Sequence, residues 1–368
     1  MRWLIAAGGT GGHVFPALSL AQAIKDEYPQ AEVVFVGTRR GLEARLVPQM
    51  GFDLRTIPSR GLMGLGLRER VLTILALPWT AMKCARILAS LRPNVVVGMG
   101  GYVAGPIVLL AAIVGIPTAI AEQNSIPGRT NRLLGRFAKR VFLGFPQAQG
   151  AFPQEKVLIT GNPVRRELLE AAARRRPSPW KGSEEEEFHL LVFGGSQGAK
   201  AIDEAMVEAI PMFAQLPFRL RVLHQSAPDR IEWLEEKYSE AGLEHEVVAF
   251  IERMEEAYLW AHLAICRAGA MSLAELALFG VPSILIPYPY ATDDHQRKNA
   301  QAWESAGASL VLDQKELSGR RLFELVRALS SSPQRLGEMA RAARGLARPS
   351  AASEMVRECA KLLEEKRR

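Results

Sequence analysis

His13 closes the run Gly8-Gly9-Thr10-Gly11-Gly12-His13, which joins an apolar segment to a helical pattern. Imidazole exchanges a proton near neutral pH. Glycines let the backbone take positive φ and approach a ligand closely. A helix starting here would aim its N–H groups and positive dipole end at an anion, setting a phosphate cradle beside a proton acceptor. Two further turns share this make-up, Gly98-Met99-Gly100-Gly101-Tyr102 and Gly194-Gly195-Ser196-Gln197-Gly198. One such turn more often serves only a tight bend. Three, each following a strand pattern, favour ligand binding at the carboxyl ends of parallel strands. A dinucleotide fingerprint would need glycine at position 14, where the chain has Val14, and a Walker A pattern is absent, so NAD and P-loop chemistry are not expected.

The second half offers a carboxylate and a dense polar loop. In Cys266-Arg267-Ala268-Gly269-Ala270-Met271-Ser272-Leu273-Ala274-Glu275 a strand end turns into a helix. A phosphate can rest on the helix start at Ala270–Ala274 while Glu275 accepts two hydrogen bonds from a ribose diol. The alternative is that Glu275 only complements the helix dipole. Pro287–Asn299 then brings hydroxyl, amide and imidazole groups suited to sugar hydroxyls. Its Asp293-Asp294 pair has no accompanying carboxylate or histidine cluster, so solvated loop charges are favoured over a metal site.

Elements of alternating type must position these groups. Apolar β-branched runs at Trp3–Ala7, Val33–Val36, Val95–Gly98, Thr118–Ala121 and Val141–Leu143 alternate with helical patterns, the signature of βαβ units. One such helix is Ala17–Tyr28, with Pro16 suited to its first position. After an exposed linker expected at Arg174–Glu187, a second series runs through Leu190–Phe193, Arg219–Leu223, Val247–Ala249, Leu263–Cys266 and Ser283–Ile286. From Ser332 the chain reads as helical throughout and is expected to pack across the domain junction. The longest apolar stretch, Pro106–Ala121, is broken by Gly115 and Pro117 and reads as a buried helix followed by a buried strand.

The 368 residues suit two α/β domains. Cys84, Cys266 and Cys359 lack CxxC spacing and read as buried thiols. The N-terminus meets glycine too soon to supply a signal-peptide apolar region, so a cytosolic protein is expected. The net charge of +7 is uneven: residues 1–160 hold 18 Lys and Arg against 8 Asp and Glu. Nucleic acid is a poor partner for this excess because no helix-turn-helix, zinc-finger or RNP pattern accompanies it. An anionic membrane or a diphosphate fits equally.

The segments GGTGGHVFPA, GMGGYVAGP, AEQNSIPGRTNR, TGNPVR, GGSQGA, CRAGAMSLAE and DHQRKNA, in this order along nearly the whole chain, resemble the MurG family, glycosyltransferase family 28. The resemblance implies a GT-B fold, two Rossmann-like doubly wound parallel-sheet domains facing a cleft. Residues 1–164 would form an acceptor- and membrane-binding domain, with 349–368 packing back on it, and 165–348 would bind UDP-N-acetylglucosamine. It further implies inverting transfer of N-acetylglucosamine to undecaprenyl-diphosphate-linked muramyl-pentapeptide, in cell-wall peptidoglycan synthesis, without a cofactor. Glu275 would hold the ribose, the backbone at Ile251 the uracil and Ser196 the phosphates, with Gln296 and Asn299 on the sugar and Arg267 closing over the donor. Thr10, Gly11, Gly12, Asn124 and Arg165 would complete the donor site, and Gly100, Gly101 and Tyr102 would cradle the acceptor diphosphate. Position 295 is His where some family members carry Gln.

For proton transfer His13 and Glu122 are the candidates, each with a positioning or supporting role as its alternative. The segment Arg68–Leu91 sets Val71, Leu72, Leu75 and Trp79 beside Arg68, Arg70, Lys83 and Arg86. This suits peripheral attachment at the cytoplasmic face of the plasma membrane, alongside other cell-wall synthesis proteins; an ordinary core-facing helix is the alternative. A glycolipid glucosyltransferase, a UDP-N-acetylglucosamine 2-epimerase or a non-catalytic sugar-nucleotide scaffold remain the rival functions.

Overall fold

The computed structural model describes residues 1–59, 77–183, 185–195 and 198–365. Arg68, Arg70, Val71, Leu72, Leu75 and Ser196 lie outside these described residues. The chain divides into two compact units, Met1–Arg166 with Arg348–Arg368, and Glu167–Ala347.

The first unit is built on seven parallel strands. They are β1 (Arg2–Ala6), β2 (Glu32–Gly37), β3 (Asp53–Thr56), β4 (Val95–Gly98), β5 (Thr118–Glu122), β6 (Arg140–Leu143) and β7 (Val157–Leu158), in the order β3-β2-β1-β4-β5-β6-β7. Parallel sheets are covered on both faces, so their strands are apolar at consecutive positions. Here Trp3, Ile5, Val95 and Val97 face the helix Gly11–Glu27 and the C-terminal helix Ala351–Glu365, through Met355, Val356 and Cys359. Leu4, Ala6, Val34, Val36 and Val96 face the helices Leu77–Leu91 and Gly101–Ile113. Pro106–Ala121 divides into the end of the helix Gly101–Ile113 and the buried β5.

The second unit repeats the plan with six parallel strands. These are β8 (Glu187–Phe193), β9 (Arg219–Gln225), β10 (Glu244–Val248), β11 (Leu263–Cys266), β12 (Ser283–Leu285) and β13 (Ser309–Val311), ordered β10-β9-β8-β11-β12-β13. Phe188, Leu190 and Val192 pack with Met206, Ile210 and Phe213 of the helix Lys200–Phe213, and with Leu322 and Val326 of the helix Gly319–Ser330.

Three expectations need correction. Pro16 lies inside a helix that starts at Gly11, because the glycine run is itself the first turn. Within Arg174–Glu187, Trp180 is only 6% exposed, packs edge-on against Phe188 and Phe218, and donates Nε1–H to Ser330 O at 2.7 Å, so a core anchor interrupts the exposed linker. The last helices are not continuous: Pro333–Gly345 ends before Ala351–Glu365 begins. β3, β7 and β13 carry no long apolar run that would mark them as strands in the sequence. Each is a short strand at or next to a sheet edge, where a long apolar run is not required.

Candidate active site

Strand order reverses direction between β1 and β4 in the first unit and between β8 and β11 in the second. Loops at such switch points diverge to opposite faces of the sheet and leave room for a ligand beyond the carboxyl ends. Ala6 pairs with Gly98, and Phe193 with Cys266, so the loops on either side of each switch point leave the sheet at the same level. These four loops are the three glycine-rich turns and the Arg267–Gly269 turn, which leads into the helix Ala270–Phe279.

In the first unit the two turns pack directly on each other. Gly8 is so close to its neighbours that a Cβ there would lie 2.7 Å from Val103 and 2.9 Å from the Glu43 carboxylate. Thr10 caps the helix Gly11–Glu27 in an extended conformation, with Thr10 and Gly12 exposed and Gly11 and His13 half-buried. Gly100, at φ +94°, caps the helix Gly101–Ile113 and lies against the His13 ring. Tyr102 is exposed one residue after Gly101, in that helix's first turn. His13 Nδ1 lies 3.1 Å from Gln123 Oε1.

Glu122 is buried, and both its oxygens receive N–H donors. Oε1 accepts from Asn124 N at 3.0 Å, and Oε2 from Gly128 N at 3.0 Å and Asn131 Nδ2 at 2.9 Å. These bonds tie the carboxylate to the loop that carries Asn124. Arg165 lies over the Phe15 ring at 5.4 Å.

In the second unit Glu275 is buried and accepts from Tyr258 Oη at 2.9 Å. It is the sixth residue of its helix, past the first turn where dipole effects concentrate. Ala270 and Leu273 are buried, and Met271, Ser272 and Ala274 are half-buried. Arg267 donates to the carbonyls of Ile286 at 3.1 Å and Pro287 at 3.4 Å and lies over the Tyr288 ring at 5.5 Å. Burial pulls the pKa of its guanidinium below the ordinary value. Gln296 Oε1 accepts from Tyr288 N at 3.0 Å, and buried Asn299 donates to Ala268 O at 3.2 Å, so the polar loop is tied to the β11 turn. Ile251 is half-buried beside exposed Phe250. Asp294 pairs with Arg297 at 3.2 Å, and Arg297 in turn with Asp313 at 2.7 Å.

Several residues that shape these loops carry no local signal. Glu43 is buried and accepts from Thr38 N and Oγ1, both at 2.8 Å, and from Gly9 N at 3.2 Å. Gln225 accepts from Gly194 N at 3.3 Å and donates to Ala249 O at 3.2 Å, linking the β8 turn to the segment before Ile251. Beneath that turn, Asp203 accepts from Ser226 Oγ at 2.7 Å and Arg230 Nε at 2.8 Å and meets His224 Nε2 at 3.2 Å. Burial would raise the Asp203 pKa, but the hydrogen bonds and charges of these partners carry it below the usual carboxylate range.

Two doubly wound parallel-sheet units with glycine-rich turns at their switch points are the GT-B architecture. The family model described as "Glycosyltransferase family 28 N-terminal domain" matches residues 3–143, and that described as "Glycosyltransferase family 28 C-terminal domain" matches 189–355. The chain belongs to glycosyltransferase family 28. It is 45% identical over 363 residues, 99% of this chain and 93% of the relative, to a Myxococcus xanthus protein named "UDP-N-acetylglucosamine--N-acetylmuramyl-(pentapeptide) pyrophosphoryl-undecaprenol N-acetylglucosamine transferase". A Geobacter metallireducens protein of the same name is 43% identical over 97% of this chain and 98% of its own length. Among solved structures, Acinetobacter baumannii MurG matches with a TM-score of 0.79 at 33% identity, covering 98% of this chain and 99% of that one. A Neisseria meningitidis UDP-GlcNAc 2-epimerase matches at 0.67 and 14% identity, covering 98% of this chain and 100% of that one, and shares the fold alone.

Proposed function

We propose that this enzyme transfers N-acetylglucosamine from UDP-N-acetylglucosamine to the C4 hydroxyl of undecaprenyl-diphosphate-linked N-acetylmuramoyl-pentapeptide, with inversion at the anomeric carbon. The names of relatives that match nearly end to end support the substrates. The observation that carries this reading is the buried Glu275 carboxylate, bonded by Tyr258 Oη, in the helix whose N-terminus at Ala270 can offer N–H groups to a phosphate. In this reading Glu275 holds the ribose diol, the Ile251 backbone the uracil, and Ser196 with the start of the Ala270–Phe279 helix the diphosphate. Gln296 and Asn299 orient the sugar, and Arg267 covers it.

The acceptor oxygen attacks the anomeric carbon as the bond to the UDP oxygen breaks, and the hydroxyl proton passes to His13. Negative charge grows on the departing diphosphate, where helix N-termini and Arg165 stabilise it more than in the ground state. Thr10, Gly11, Gly12 and Asn124 complete the donor contacts, and Gly100, Gly101 and Tyr102 take the acceptor diphosphate. The enzyme would work as a peripheral protein at the cytoplasmic face of the plasma membrane, in contact with other cell-wall synthesis proteins. Among the described residues no helix is long and apolar enough to cross a membrane.

The test is incubation with UDP-N-acetylglucosamine and the lipid-linked muramyl-pentapeptide, following UDP and the disaccharide-lipid together. UDP release should depend strictly on the acceptor. Epimerised sugar nucleotide without acceptor, or no product at all, would overturn the assignment.

A further inference from the structure

We propose that Gln123 is a positioning residue that fixes the tautomer of His13, placing the hydrogen on Nδ1 and the lone pair on Nε2. Gln123 follows β5 and is buried. Its Nε2 lies 3.1 Å from Met99 O. A carbonyl oxygen can only accept, so this end of the amide is the NH2 group, and the other end is the oxygen. That oxygen faces His13 Nδ1 at 3.1 Å. An amide oxygen also only accepts, so Nδ1 must donate, and the lone pair of the neutral ring sits on Nε2.

The chain of contacts is held at each link. Asn162 Nδ2 donates to Gln123 O at 3.0 Å, fixing the backbone of that residue. Met99 N donates to Ala6 O at 2.8 Å, tying the accepting carbonyl to β1. A Cβ at Gly100 would lie 2.6 Å from His13 Nδ1, so glycine there lets the ring sit against the turn. Nδ1 keeps its hydrogen in both neutral and protonated imidazole. His13 can therefore gain and release a proton at Nε2 without breaking the Gln123 bond. A neutral amide orients the ring without the strong pull toward imidazolium that a carboxylate exerts.

The catalytic consequence rests on His13 as the proton acceptor proposed above; the tautomer does not. Histidine-labelled 15N spectra of the full chain, with the His13 signals identified by their loss in His13→Asn, should show an Nδ1–H ring. Gln123→Met, of similar volume, should shift the population toward Nε2–H. A wild-type ring that is mainly Nε2–H, or an unchanged tautomer in Gln123→Met, would overturn the proposal. In turnover, Gln123→Met should lower kcat about ten- to a hundredfold, with KM for UDP-N-acetylglucosamine nearly unchanged. Gln123→Glu keeps an acceptor opposite Nδ1, and should recover part of kcat while moving the acidic limb of the pH profile to higher pH. A Gln123→Met enzyme that loses only thermal stability, with kcat and pH profile intact, also overturns the positioning role. Full turnover in His13→Ala together with the expected spectra would remove the proton-acceptor assignment and leave the tautomer standing.

Discussion

Glu275 lies past the first turn of its helix, where dipole compensation is weak, and its buried carboxylate accepts from the Tyr258 hydroxyl. A carboxylate that takes two hydroxyl hydrogen bonds contributes about 2–3 kcal/mol to binding. Glu275→Ala should therefore raise KM for UDP-N-acetylglucosamine about 30- to 150-fold, with acceptor KM little changed. Tyr258→Phe removes one supporting bond and should cost about three- to tenfold. Steady-state kinetics with each substrate varied in turn separates these effects. A Glu275→Ala enzyme with unchanged donor KM would move the ribose contact elsewhere. Glu122, by contrast, has donors on both oxygens, so Glu122→Gln should act by loosening the Asn124 loop.

Elements hold these residues through anchors outside the motifs. Trp180, in a segment of charge and proline, plugs the second core beside Phe188. Trp180→Ala should destabilise that unit by about 3–5 kcal/mol, read as a lower urea midpoint. A second anchor responds to pH. His262 stacks on His189 with 4.7 Å between ring centres, and its Nδ1 accepts from His189 N. Burial, with the His189 charge adding to it, lowers the His262 pKa to about 4. The unfolded chain, titrating near the ordinary 6.5, then binds more protons than the folded one between those values. The stability contributed by neutral His262 is complete above that range. It is lost as pH falls from about 6.5 toward 4, on the order of 2 kcal/mol. Denaturation at pH 7.5 and 4.5 should show this loss, and His262→Asn should reduce it. An equal loss in the variant would assign the effect to other groups.

At the scale of the molecule, the excess positive charge of residues 1–160 coincides with an unusual helix. Leu77–Leu91 buries Thr80, Cys84, Leu88 and Leu91, and burial raises the Cys84 pKa to about 11. It leaves Leu77, Trp79 and Met82 exposed, Trp79 at 51% with Lys83 above its ring. An aromatic under a cation on a basic unit suits the interface of an anionic leaflet, where the proposed acceptor resides. Trp79→Glu should weaken binding to anionic vesicles about tenfold, with donor KM unchanged. Sedimentation with vesicles of graded anionic content measures it; unaltered affinity would place the membrane contact on another surface.

The alternation of strand and helix, the glycine turns and the family were legible in the linear sequence, because apolar period and turn chemistry are local properties. Glu275 and His13 stand out in the sequence because each follows a glycine-containing strand-to-helix junction, and the structure places both within the helices that start there. What only the tertiary structure decided is who meets whom. Parallel pairing sets Ala6 level with Gly98, and this brings the His13 and Gly100 turns together and seats Gln123 beside the ring. Glu43 reaches Gly9 across a crossover, and Gln225 joins two loops of the second unit. Each of these contacts depends on strand order and register, which long crossovers establish, and no spacing within a local window encodes such a partner.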